Sequence, residues 1–257
     1  MEQTKKDVRQ QFGQSAQSYV ESKQHKDGND LQKLVGMASI TGKEELLDIA
    51  TGGGHTANAF ASRVRSVTAL DLTKEMLAAA EKFIKGNGHH NVQFMEGDAE
   101  KLPFANETFD IVTCRIAPHH FPNIRDFLSE VNRVLKNNGQ FLLDDNVAPE
   151  EKAFDEFYNT IEKIRDYSHF RAWKKSEWIQ MLEDNGFEVG EWHRFEKVFI
   201  FEPWCNRMNL SDKEKEHLNS FILNASEEIK AKFAIKVENS RVVSFKGEAI
   251  VLKALKN

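Results

Sequence analysis

The amino-acid sequence predicts an α/β fold in which a doubly wound, mostly parallel sheet of about seven strands carries helices on both faces. Three observations support this expectation. Short apolar runs near residues 45–50, 66–71, 91–95, 109–114 and 139–145 alternate with helical periodicity near 55–63, 73–86 and 123–136, a pattern that calls for parallel strands buried on both sides. The run Leu46-Leu47-Asp48-Ile49-Ala50-Thr51-Gly52-Gly53-Gly54-His55-Thr56-Ala57 passes from strand through a glycine turn into a helix, and about twenty residues later Leu70-Asp71-Leu72 closes a second strand on an acid. The length, 257 residues, suits one large α/β unit with a sizeable core.

Taken in order, the first forty residues read as helical, with Val8, Phe12 and Tyr19 near helical spacing and a second periodic set at Leu31, Leu34, Val35, Met37 and Ala38. They form a cap before the sheet. Three consecutive glycines would weaken a strand or helix interior, so they belong in the turn, where the backbone takes φ > 0 or lets a ligand approach. The helix starting near His55 aims free N–H groups at that ligand. After the fifth strand a helix runs from about Glu150 to Asp166, followed by a polar and aromatic loop and a helix near Ser176–Asn185 that Gly186 ends. Val198-Phe199-Ile200-Phe201 and Ala249-Ile250-Val251-Leu252 read as strands, and Ser211-Asp212-Lys213-Glu214 between them is a capping box opening another helix. No repeat or low-complexity tract interrupts the chain. One domain over 1–257 is expected, with a helical cap at 1–40, a core at 41–148, and lid helices and final strands at 149–257. The lid should lie over the ends of the parallel strands, where open α/β sheets bind ligands.

Composition narrows the function. A formal net charge of −5 with 40% hydrophobic residues, and Lys and Glu interspersed rather than blocked, leaves no global basic field for nucleic acid. Only Cys114 and Cys205 occur, without metal spacing, and the opening Met1-Glu2-Gln3-Thr4-Lys5-Lys6 lacks an apolar signal core. A reduced, cytoplasmic protein is expected. No apolar stretch approaches the roughly 20 residues that span a bilayer, so no integral membrane segment is expected; monomer and homodimer both remain open.

The glycine spacing alone also fits the G-x-G-x-x-A of dinucleotide sites, and so is ambiguous. Four places in register decide between the readings: Asp48 before the glycines, Asp71 closing the next strand, Gly97-Asp98-Ala99-Glu100-Lys101-Leu102-Pro103-Phe104, and Phe109-Asp110-Ile111-Val112 leading into Gly139-Gln140-Phe141-Leu142-Leu143. Together they resemble the class I S-adenosylmethionine (SAM) dependent methyltransferases. The Asp98 to Phe104 stretch and the opening Phe12-Gly13-x-x-Ala16-x-x-Tyr19 resemble the ubiquinone/menaquinone-biosynthesis type and its small-molecule relatives. The likeness covers residues 12 to 150; beyond them only the alternation of helices and strands agrees. It implies a Rossmann-like core, an antiparallel C-terminal hairpin at the sheet edge, SAM as cofactor with S-adenosylhomocysteine (SAH) as product, and a small-molecule acceptor.

The resemblance also distributes roles. Gly52 and Gly54 would let the backbone approach the methionine part of SAM, while the helix N-terminus at His55 favours its carboxylate. Asp48 would receive the ammonium or position the turn that does. Asp71 can accept two ribose hydroxyls, although a strand-end Asp before Leu72-Thr73 can instead cap a helix. Asp98 can accept from the adenine amino group and Ala99 offer its N–H to a ring nitrogen. Ala50, Leu72 and Arg115 adjoin these motifs and complete the cofactor set, and Tyr19 could close over the sulfonium.

Methyl transfer is an in-line displacement needing alignment and exclusion of water rather than a catalytic acid. For a hydroxyl or activated carbon nucleophile a base helps, and His119 and His120, in Ala117-Pro118-His119-His120-Phe121 beyond the fourth strand, are the candidates; otherwise they tie down the loop or line the pocket. In the loop Arg165-Asp166-Tyr167-Ser168-His169-Phe170-Arg171, His169 and Arg171 are the candidate substrate contacts. Trp173, Trp178, Trp192 and Trp204 could build an aromatic lid wall.

Rival readings are a magnesium-dependent O-methyltransferase using Asp144-Asp145-Asn146, a nicotinamide-dependent dehydrogenase, and a non-catalytic SAM-binding module. The first needs an acid where Cys114-Arg115 stands, so no metal is expected. The second leaves Gly97-Asp98-Ala99 unexplained.

Overall fold

The computed structural model describes residues 2–13 and 28–257. Its parallel strands are β1 (Glu45–Ile49), β2 (Ser66–Asp71), β3 (Val92–Glu96), β4 (Phe109–Arg115) and β5 (Leu135–Val147). Three more, β6 (Phe187–Ile200), β7 (Lys236–Glu238) and β8 (Arg241–Lys256), join antiparallel. The order is β3-β2-β1-β4-β5-β8-β6, with β7 paired to β8. The helices are α1 (Glu2–Gly13), α2 (Asn29–Met37), α3 (His55–Ala61), α4 (Lys74–Gly86), α5 (Ile124–Val134), α6 (Lys152–Arg165), α7 (Lys175–Asp184), α8 (Phe201–Asn206), α9 (Asp212–Leu223) and α10 (Glu227–Lys232).

Side-chain alternation along β1 explains the layering. Leu46 joins a cluster with Leu34 of α2, Phe60 of α3 and Ile84 of α4, whereas Leu47 and Ile49 point the other way into a cluster with Phe127 of α5 and Trp178 of α7. A third cluster, with Phe157 and Tyr158 of α6, Trp204 of α8, Leu218 of α9 and Phe245 of β8, lies apart from both. β1 pairs with β2 on one side and β4 on the other. The chain therefore winds one way through β3, then crosses over to wind the other way, opening a crevice beyond the carboxyl ends of β1 and β4.

The expected mostly parallel sheet with an antiparallel C-terminal hairpin is present. The two final strands are longer than the four-residue runs read from sequence: β6 has 14 residues and β8 has 16. β6 is an edge strand whose residues from Glu188 to Lys197 are mostly charged or polar and largely exposed, which hid its period. Phe201 opens α8 rather than ending the strand.

Candidate active site

The crevice is shaped by two backbone outliers. Ala50, after β1, and Ile116, after β4, both adopt left-handed geometry, at φ 53 and φ 52. For a β-branched residue this is costly, and such strain collects at ligand sites. Both residues line a cleft that encloses about 1040 Å³ including its mouth.

Hydrogen bonds tie the glycine turn to the strand ends. Asp48, 1% exposed, accepts from Thr51 Oγ at 2.6 Å, Thr113 Oγ at 2.7 Å and the Ala57 N–H at 3.2 Å. Burial pushes its carboxyl up to about 6 despite these donors. Asp71 accepts from the N–H of Gly52 at 2.8 Å and of Thr73 at 2.9 Å, and burial raises its pKa against those bonds. One Asp71 oxygen thus fastens the turn and the other holds the N–H of Thr73; Thr73, not Asp71, is the N-cap of α4, so the capping alternative is not what the structure shows. Both carboxylates line the cleft, with Ala50, Gly52, Gly53, Leu72 and Thr73.

Gly54 departs from expectation. It sits at φ 81 as the N-cap of α3 and is not among the cleft-lining residues; a Cβ there would stand 2.8 Å from Ile84 and 2.9 Å from Ala80 of α4. Its small size serves helix packing, and Gly53 takes the place beside Gly52.

At the far wall Asp98 accepts from Lys5 of α1 at 2.6 Å and from the Glu100 N–H at 3.0 Å. Lys5 also pairs with Glu100 at 2.6 Å, and although burial disfavours its charge, these two acids hold its pKa above normal. Glu100 in turn accepts from the backbone and side-chain amides of Asn123, at 2.6 and 2.9 Å, pinning the Asp98–Ala99 loop to the start of α5. Nothing in the local sequence marks Lys5; α1 brings it in from 93 residues away. Val8 and Phe12 follow it along the cleft. Tyr19 lies outside the described residues.

Arg115 lines the cleft, yet its guanidinium is held by Asp144 at 2.9 Å and Asp30 of α2 at 3.1 Å. Asp30 is lowered to about 2, burial being outweighed by Arg115 and Lys197. Burial raises Asp144 to about 6 against the pull of Lys197 and Arg115.

A second cavity adjoins the first, and Phe12, Ile116 and His120 line both. Its remaining wall includes His119, Asn146, Phe195, Phe199, Trp204 and Met208. His119 and His120 form a single 3₁₀ turn and are both buried, yet they differ in partner. His119 Nδ1 lies 2.6 Å from Asp145 Oδ1, and its backbone N–H donates to Asp145 Oδ2 at 3.0 Å. Burial is outweighed by this carboxylate, which raises the His119 pKa. His120 Nδ1 faces the Ser168 carbonyl at 3.1 Å; burial and the neighbouring His119 push it down to about 4.

Successive β5 side chains point to opposite faces. Asp144 accordingly serves Arg115 and Asp145 serves His119, which separates the two acids weighed as magnesium ligands. Among the described residues no group of three or more His, Cys, Asp or Glu is arranged to hold a metal.

His169 and Arg171 are not brought to either cavity. His169, 2% exposed, stands behind His119 at 5.6 Å between ring centroids and bonds Asn159 Oδ1 at 3.0 Å. Arg171 turns to Asp155 at 3.0 Å and Glu177 at 3.2 Å. The start of the loop, Arg165 and Asp166, lines the second cavity, whereas its end buttresses the histidine turn, with the Phe170 and Arg171 N–H groups donating to the His119 carbonyl at 2.9 and 3.0 Å. Of the four tryptophans only Trp204 lines a cavity; Trp178 is in the core and Trp192 is 48% exposed on β6, so the aromatic wall reduces to one indole. Asp145, considered in sequence only as a metal ligand, is the buried partner of His119 that sequence reasoning missed; two histidines and an acid near adjacent strand ends were the available signal.

Comparison with known proteins agrees with this geometry. Residues 47–143 match the methyltransferase domain model. The chain is 38% identical over 250 residues to the uncharacterized methyltransferase YcgJ of Bacillus subtilis, covering 95% of this chain and 97% of that protein. It is 26% identical over 170 residues to a demethylmenaquinone methyltransferase of Bacillus velezensis, covering 63% and 72%. The structure of a candidate methyltransferase from Bacillus halodurans superposes with a TM-score of 0.88 at 58% identity, covering 89% of this chain and 99% of that one. With the glycine turn, the strand-end acids and the crevice already in place, these likenesses show that the chain belongs to the SAM-dependent methyltransferase family.

Proposed function

We propose that the protein transfers the methyl group of SAM to a small-molecule acceptor in the second cavity, and that residues 1–257 act as one unit of cap (1–40), cofactor core (41–148), and lid with final strands (149–257). The observation carrying this reading is the meeting of the two cavities at Phe12, Ile116 and His120, which lets cofactor and acceptor approach without solvent between them.

The donor set suits the cofactor. SAM when bound supplies an electrophilic methyl group on a good leaving group. Gly52, its own N–H held by Asp71, leaves room for close approach, while the backbone at Gly53 and the start of α3 faces its carboxylate; Asp48 faces its ammonium, Asp71 retains lone pairs for the ribose diol, and Asp98 with the Ala99 N–H addresses the adenine. Ala50 and Leu72 supply walls, and Arg115 braces the crevice through Asp30 and Asp144. His119 and His120 stand at the acceptor side. Among the described residues no helix is long and apolar enough to cross a membrane, and the acceptor we propose is a diffusible molecule met in the cytoplasm rather than a nucleic acid. Asp144 and Asp145, committed to Arg115 and His119, favour chemistry without a metal.

Calorimetric titration tests the cofactor assignment: SAM and SAH should bind, and NAD should not bind with comparable affinity. NAD binding tighter than SAH would overturn it. Methyl transfer from labelled SAM, as against retention of intact SAM, separates an enzyme from a binding module.

A further inference from the structure

We propose that His119, held by Asp145, is the general base for a neutral hydroxyl acceptor in the second cavity. The inference rests on the methyltransferase reading above and adds the acceptor class and the residue that takes its proton.

Asp145 can only accept, so the 2.6 Å contact places a proton on His119 Nδ1 and leaves the Nε2 lone pair available. The second Asp145 oxygen holds the His119 backbone N–H, so one fully buried acid ties down both the ring and the backbone of His119. His119 lines the second cavity, and His120, whose ring lies 4.3 Å away, lines both. His120 has the Ser168 carbonyl on Nδ1 and only a 3.9 Å approach from Asp166 on its other nitrogen. It packs beside the reaction without a close acid to stabilise an imidazolium, which makes His119 the proton acceptor.

Charge also selects the acceptor. Asp30, Glu162, Asp166 and Glu196 line the second cavity against Lys197, Arg165 and Arg207. Arg165 is bound to Glu162 at 2.8 Å, Lys197 to Asp30 at 3.3 Å, and Arg207 is also engaged. A carboxylate acceptor would meet more acids than bases, whereas a neutral hydroxyl meets no such penalty. In the step itself the acceptor oxygen attacks the methyl carbon as its proton passes to His119 Nε2. The C–O bond forms, the C–S bond breaks, and that electron pair stays on sulfur. One positive charge is lost at sulfur and one appears on His119 beside Asp145, so the buried charge balance is preserved. The groups facing His119 are Asp145 from β5, His120 from its own turn, Glu162 from α6, and Asp166 and His169 from the following loop. Burial disfavours the protonated ring, and the three acids together outweigh it.

The test uses the full chain. SAH binding is measured first by calorimetry; its failure would count against the methyltransferase reading, not this one. 4-Nitrophenol, 4-nitroaniline and 4-nitrobenzoate are then titrated separately into the protein–SAH complex below the pH at which the free phenol ionises. The phenol should bind and show its phenolate absorbance, the proton having passed to His119. His119→Ala, with His119→Gln as the variant that keeps more packing, should lower that affinity about 10- to 100-fold and abolish the phenolate band while SAH still binds. Asp145→Asn should lower the His119 pKa read by NMR and weaken the phenolate band with it; a pair that only braces the turn would lose the pKa shift and leave the band unchanged, which would overturn the proposal. Preferential binding of the benzoate or aniline, failure of the phenol to bind, or a phenolate band that survives both His119 variants would overturn the proposal.

Discussion

Asp48 gives the most direct test of how burial and function compete in this crevice. The fully buried carboxyl has a folded pKa of about 6 against an ordinary value of 3.8. A pKa difference of roughly 2 corresponds to about 3 kcal/mol. The sign follows from proton counting. Between the two values the folded chain binds more protons than the unfolded chain, so this contribution is present below the unfolded pKa, declines as pH rises, and is lost above about 6. Asp48→Asn removes the buried charge and keeps an acceptor for Thr51 and Ala57, while the Thr113 hydroxyl can turn to accept. The variant should gain up to about 3 kcal/mol over the parent at pH 8 and almost nothing at pH 4. Asp144, also raised to about 6, leaves a similar slope in both proteins, so the slope is reduced rather than abolished. Urea unfolding of the ligand-free protein at several pH values measures the difference. A counter-effect is expected on ligand binding: if Asp48 faces the ammonium, SAH affinity in the parent should rise with pH through about 6, and Asp48→Asn should bind SAH weakly at every pH. An Asn substitution whose effect on stability is the same at pH 4 and pH 8 would refute the reasoning, because Asp48 would then be ionised throughout.

Asp71→Ala should lower both stability, by about 2–4 kcal/mol from the two stranded N–H groups of Gly52 and Thr73, and SAH affinity, by about 10- to 100-fold, as read by thermal unfolding and calorimetry. Lys5→Met breaks the link from α1 to Asp98 and Glu100; SAH dissociation followed by stopped flow should quicken about 3- to 5-fold, with the difference shrinking at high salt. Gly54→Ala combines left-handed strain with contacts to Ile84 and Ala80, and urea unfolding should show a loss of about 2–4 kcal/mol. Activity on any identified acceptor should persist in excess chelator; loss restored by magnesium would make Asp144 and Asp145 metal ligands rather than the partners of Arg115 and His119.

The local signals were informative where chain neighbours carry the physics. Leu46, Leu47 and Ile49 announce a strand buried on two faces, the triple glycine announces a turn, and Asp48 and Asp71 stand near strand ends, Asp48 three residues before the Thr51 hydroxyl it holds and Asp71 two before the Thr73 N–H it holds. These features fixed the order of elements, the parallel sheet and the position of the crevice. The final hairpin was only partly legible, because the edge strand β6 exposes charged residues that blur its period.

What the tertiary structure decided depends on groups far apart in sequence. Gly54 and Gly52 look equivalent in the motif, and only the approach of α4 shows that one packs a helix while the other lines the cleft. Arg115 acquires its role from Asp30, 85 residues away, and His119 from Asp145, 26 residues away. His169 and Arg171 share a loop with the right chemistry, yet neighbouring carboxylate and amide partners turn them from the cavities. Sequence sets which groups a strand end can offer, through the two-residue alternation of its side chains. Which partner each group meets is set by the crossover that brings β4 beside β5, since desolvated charges persist only where the fold supplies a counter-charge.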